Sequence, residues 1–237
     1  MGKKERILVL GAHADDEVLG VGGTIARKVS EGHEVYIHIV RPVVAERHGK
    51  DKEEKGKYLE LLKKFCIESS SFLGVPSENV SFGDYTYEEP FSCADIEGNR
   101  RVPSHITEVI KKIAPTVVFT HHSGDAHRDH RIVHKATMIA TRPMLGTSVK
   151  HVFSYETPSS TDQSFQTLNN LFSPNYYTDI NGFLDKKLEA FSKYLTESKG
   201  NPSPRSPEKI KALASVRGAQ IFREHAEAFT LLRGVDN

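Results

Sequence analysis

The sequence predicts an α/β fold, a Rossmann-like three-layer sandwich with helices on both faces of a doubly wound, mainly parallel β-sheet. Three observations predict it. Apolar, β-branched runs alternate with helical stretches of ten or more residues, the pattern of βαβ units. The run PTVVFT at 115–120 is short and rich in β-branched residues, as in a strand buried within a parallel sheet. The two most polar clusters, HADDE at 13–17 and HHSGDAHRDH at 121–130, each follow a predicted strand. Ligands of such sheets bind beyond the carboxyl ends of the strands.

Residues 6–12 (RILVLGA) read as the first strand, and 17–31 as the helix after it. HEVYIHIV at 33–40 alternates polar and apolar residues as a second strand does. Residues 41–52 are charged and carry Pro42 and Gly49, which predicts an exposed loop. A long amphipathic helix follows over 53–73, with Tyr58, Leu61, Leu62, Phe65 and Phe72 on its apolar face. A short strand at 80–82 leads into a loop rich in Gly, Asp and Pro. The next helix, 103–113, has Pro103 just inside its start. The segment ESKGNPSPRSPEK (197–209) is a loop, after which apolar helical residues resume. Neither a repeat nor a dividing linker is seen, so a single domain over 1–237 is expected.

At 237 residues the chain can bury a substantial core. Its 32 basic and 31 acidic residues nearly cancel, which argues against nucleic acid or an acidic membrane surface as partner. No apolar run approaches the roughly 18 residues of a membrane span. The apolar part of MGKKERILVL is too short for a signal peptide and reads as a strand. Cys66 and Cys93 are too few for a disulfide framework and suit a reducing, cytoplasmic setting.

The clusters carry the chemistry. Residues 121–134 hold five of the twelve histidines, interleaved with Asp125 and Asp129. One acidic residue at a helix N-terminus needs only the helix dipole to explain it. Two clusters at strand ends, each mixing His with Asp, point to a metal. Catalytic zinc takes imidazole and carboxylate, using three protein ligands and one open position. His13 and Asp16 are three residues apart across a strand-to-helix turn, and His130 from the second cluster would complete the set. Fe2+ and Mn2+ accept the same ligands. The glycines of GVGGT lie inside the predicted helix and read as close packing, not as a dinucleotide loop. His134, one helical turn beyond His130, reads as an ordinary helix residue.

These residues resemble those of the LmbE-like or PIG-L-like zinc-dependent N-acetylglucosaminyl deacetylases. AHADDE differs from the family's AHPDDE only at Ala14, and the TH…DAHRDH stretch looks like its second motif. GVGGTIARKVSEGHEV and PRSPEKIKALASVRGAQIFREHAEAF extend the likeness over most of the chain. The resemblance implies the LmbE-like fold, with His13, Asp16 and His130 as zinc ligands and Asp15 as general base. It implies that His127, oriented and kept charged by Asp129, stabilises an oxyanion or acts as an acid. Arg47 falls where relatives place a substrate-binding arginine, and His225 where many have tyrosine. Asp84 is a candidate for a sugar hydroxyl, though a turn aspartate reads equally well. His121 and Asp125 are candidates for contacts behind the ligands. The implied reaction is removal of an N-acetyl group from an amino sugar or its conjugate, a small soluble substrate, with homo-oligomers common among relatives. The segments 84–101 and 157–175 are the expected walls of the sugar site. A metal phosphoesterase, and a metal- or sugar-binding protein without turnover, are the competing classes.

Overall fold

A computed structural model describes residues 4–42, 51–85, 94–98, 100–144 and 146–236. Strand β1 (Arg6–Gly11) leads through a tight turn into α1 (Asp16–Ser30), and β2 (Glu34–Ile39) runs parallel beside β1. Helix α2 (Lys52–Leu73) starts on Asp51, whose carboxylate accepts the Glu54 N–H at 2.9 Å, and stops at left-handed Gly74. Then come β3 (Val80–Phe82), the short α3 (Ala94–Glu97), α4 (Arg101–Ile113) and β4 (Val117–His121). Helix α5 (Arg128–Ala140) and β5 (His151–Tyr155) follow, then β6 (Tyr176–Asp179), α6 (Leu184–Ser192), α7 (Pro207–Ala219) and β7 (Ala226–Gly234).

The strand order is β3-β2-β1-β4-β5-β7-β6. The first five strands in that order are parallel, whereas β7 pairs antiparallel with both β5 and β6. The mainly parallel expectation therefore holds, with an antiparallel margin that periodicity did not predict. Alternation along the central strands builds two cores, one on each face. Ile7 and Val9 pack with Val18, Ile25, Phe65 and Phe191 under α1, α2 and α6. Leu8 and Leu10 pack with Ile106, Ile110, Ile132 and Val133 under α4 and α5.

Sheet growth reverses direction between β1 and β4, so their carboxyl ends flank the topological switch point. Both polar clusters open from those ends. The helix glycines do serve packing: a Cβ on Gly20 would lie 2.2 Å from the Tyr155 ring, and one on Gly23 would lie 2.8 Å from Ile180.

Candidate metal centre

The turn after β1 holds the first cluster. The His13 N–H donates to Asp16 Oδ2 at 2.7 Å, which folds the aspartate back against the histidine. Between them Asp15 has φ 124°, a conformation costly for a side-chain-bearing residue. Its N–H donates to Glu17 Oε2 at 3.1 Å, and Tyr194 donates to Glu17 Oε1 at 2.5 Å. Burial pushes the Glu17 carboxyl up to about 7. The strained turn is thus held from inside the core.

The second cluster lies across β4 and the start of α5. His13, Asp15, Asp16, His121, Asp125, Asp129 and His130 are all buried, and His127 is half-buried. Among the described residues, two sets of three donors have ligand atoms within 4.8 Å of one another: His13, His127 and His130, and Asp16, His121 and His130. The expected triple of His13, Asp16 and His130 straddles the two sets. Its closest measured edge, Asp16 Oδ1 to His130 Nε2, is 3.4 Å. A tetrahedral ion with bonds of about 2.0–2.1 Å sets neighbouring ligands about 3.3 Å apart.

Asp16 Oδ1 is buried and lacks a hydrogen-bond partner among the described residues. Burial disfavours a charge on His130, but Asp16 and Asp125 outweigh it and hold its pKa up at about 10. An orphan carboxylate oxygen in a field that favours positive charge fits a cation. His121 and Asp125 both lie against the expected ligands. His121 Nε2 accepts the Ala12 N–H at 2.9 Å and lies 3.2 Å from Asp16 Oδ2. Asp125 Oδ2 lies 3.2 Å from His130 Nδ1, and the carboxylate accepts from Ser160 and Thr161. His134, on α5, has Nδ1 2.8 Å from the His121 carbonyl.

Asp129 corrects the expectation. Its carboxylate does not orient His127; Oδ2 lies 3.1 Å from His13 Nε2 and accepts Arg41 Nη1 at 2.7 Å. His127 instead accepts the Asp129 backbone N–H on Nδ1 at 3.2 Å. Burial, reinforced by His13 and His130, pushes the His127 pKa down to about 3, so the charged imidazole is disfavoured as well.

His13, Asp15, His127 and His130 line one cavity of about 330 Å³. Tyr58, Ser159, Ser160, Gln163, Glu197 and Arg205 form other parts of its wall. Segment 157–175 thus contributes as expected, through Ser159, Ser160 and Gln163. Asp84 is exposed beyond β3, and His225 bonds Asn181 before β7; neither lines the cavity. Arg47 lies outside the described residues, as do 86–93 and 99 within the segment 84–101.

Sequence reasoning missed Arg41 and Arg205. Arg41 extends the pairing of β1 and β2, its N–H donating to the Ala12 carbonyl at 2.9 Å. The strand-end rule used for the two clusters would have found it. Arg205 precedes Ser206, which caps α7 ahead of Pro207. Nothing local indicates where its side chain goes.

Known proteins share this fold. Among solved structures, the N,N'-diacetylchitobiose deacetylase of Pyrococcus horikoshii superposes with TM-score 0.74 at 21% identity, covering 97% of this chain and 84% of that one. GalB, a 4-carboxy-2-hydroxymuconate hydratase from Pseudomonas putida, superposes with TM-score 0.72 at 19% identity, covering 98% of this chain and 99% of its own. Such likeness shows the fold and leaves the reaction to the site. In sequence, the chain is 29% identical to the uncharacterized deacetylase YaiS of Escherichia coli over 171 residues, 67% of this chain and 77% of that one. It is also 29% identical to the mycothiol S-conjugate amidase of Streptomyces coelicolor, over 57% of this chain and 51% of that protein. Residues 8–141, containing both motifs, match the PIG-L family of GlcNAc-PI de-N-acetylases. With that match spanning more than half its length, the chain belongs to the PIG-L deacetylase family.

Proposed function

We propose that the protein is a zinc-dependent hydrolase that removes the acetyl group from an N-acetylated amino sugar or its conjugate. The observation that carries the reading is Asp15, a buried carboxylate beside the donor cluster, on the same cavity wall as His13, His127 and His130. A protein that only stores a metal has no use for a strained acid held there. His13, Asp16 and His130 are the ligands in this reading, with zinc favoured by their mixed N/O character. When bound, the ion lowers the pKa of a water to about 7 and polarises the amide carbonyl.

Asp15 accepts the attacking water's proton. His127, with Nδ1 occupied by the Asp129 N–H, carries its proton on Nε2 and donates a hydrogen bond to the developing oxyanion. The C–N bond breaks, Asp15 returns the proton to the amine, and acetate leaves. Arg41 and Asp129 fix the His13 ring through Nε2, leaving Nδ1 for the ion. Both donor sets contain His130, which suits one ion better than the pair used by two-metal phosphoesterases. No helix among the described residues is long and apolar enough to cross a membrane, in keeping with a soluble substrate.

The test is a panel of N-acetylated sugars and sugar conjugates assayed for free amine, with chelator and with zinc restored. Chelator-sensitive amine release supports the reading. Release of phosphate from phosphate esters without any amine release overturns it.

A further inference from the structure

Arg205 is bound on two edges and open on the third. Its Nη1 donates to Asp15 Oδ2 at 2.7 Å and to Glu197 Oε2 at 3.1 Å, and its Nε donates to Ser159 Oγ at 2.7 Å. Nη2 has no hydrogen-bond partner among the described residues, although the arginine lines the cavity with His13, His127 and His130. Its side chain is only 17% exposed. Two of the residues it binds have positive φ, Asp15 at 124° and Ser159 at 70°. Strained backbone gathers where a site must be held in one shape. The guanidinium therefore joins two strained turns and the loop before α7 at one wall of the cavity.

Charge decides what the open edge can take. Asp15 and Glu197 already supply two carboxylates to one guanidinium. A third anion would meet that excess of negative charge in a partly desolvated site, whereas a neutral oxygen acceptor would not. The planar fork also couples its edges, because a group on Nη2 is held in fixed relation to the carboxylate on Nη1.

We infer that Arg205 is a substrate-binding and positioning residue, holding Asp15 through Nη1 and receiving a neutral oxygen of the substrate, such as a sugar hydroxyl, on Nη2. The inference rests on the deacetylase reading and adds to it that the group beside the base is uncharged.

The test compares the metal-loaded wild type with Arg205→Lys, Arg205→Gln and Arg205→Met. Each is assayed on N-acetylglucosamine, its 6-phosphate and a neutral N-acetylglucosaminide. Lysine keeps a cation beside Asp15 and Glu197 but loses the fork. Arg205→Lys is expected to raise KM for the neutral substrate about tenfold, with a smaller fall in kcat. Arg205→Gln and Arg205→Met, which also release Asp15, are expected to lower kcat about a hundredfold. Metal content and thermal midpoint of Arg205→Lys should match the wild type, a result that separates binding from a structural role. An unchanged KM in Arg205→Lys overturns the substrate contact, and a kcat/KM higher on the phosphorylated sugar overturns the neutral-oxygen assignment. If the wild type turns over none of the three, the deacetylase reading falls and the assignment with it. Turnover with unchanged KM removes the assignment alone.

Discussion

The carboxylate of Asp129 lies 3.1 Å from the His13 ring, although its own neighbour His127 is two residues away. The same oxygen accepts Arg41 Nη1, so three separate stretches of chain meet on one atom. In the proposed mechanism Asp129 thereby acts on His13, the ligand, and not on His127.

Asp129→Asn should weaken zinc binding about 10- to 100-fold, as loss of a ligand's hydrogen-bond partner does. Chelator competition measures it. Unaltered affinity with a fall in kcat would return Asp129 to the service of His127.

Asp15→Asn should keep its metal while kcat falls by about 10²–10⁴, the usual contribution of a general base. His127→Ala should also keep the metal, whereas His130→Ala should lose it. Metal analysis of the purified variants decides each point. Loss of metal from Asp15→Asn would place that carboxylate among the ligands.

Asp15→Gly and Asp15→Ala both delete the carboxylate but differ in backbone freedom. With φ at 124°, the glycine variant should be the more stable by about 1–2 kcal/mol. Urea denaturation of the two reads the strain directly, and equal midpoints would show that there is none.

Acid should destabilise the fold through a pair of histidines away from the cavity. His38 is buried, with Nδ1 2.9 Å from Ser81 Oγ and Nε2 2.9 Å from His105 Nε2. Burial, with His105 and Lys112 adding to it, pushes its pKa from 6.5 down to about 3. As pH falls through 6.5 the unfolded chain takes up a proton that the folded chain refuses. The stabilisation is full above 6.5 and is lost as pH falls from 6.5 towards 3. The limiting slope is about 1.4 kcal/mol per pH unit. Urea midpoints between neutral pH and about pH 5 should fall less in His38→Gln than in the wild type. Equal slopes would assign the acid sensitivity elsewhere.

The sequence by itself determined the parallel half of the sheet, the helices beside it, and the two clusters at strand ends. Those features are written locally: residues such as Ile7 and Leu8 alternate between faces, and His13 to Glu17 follow directly on β1. Tertiary structure alone decided the antiparallel margin of β6 and β7, the partner of Asp129 and the placing of Arg205 on Asp15. Arg41 and Asp129 are 88 residues apart, and Asp15 and Arg205 are 190 apart. A side chain's charge and length are visible in one position of a sequence. Which opposite charge it meets depends on how the sheet brings distant segments together, and no local periodicity records that.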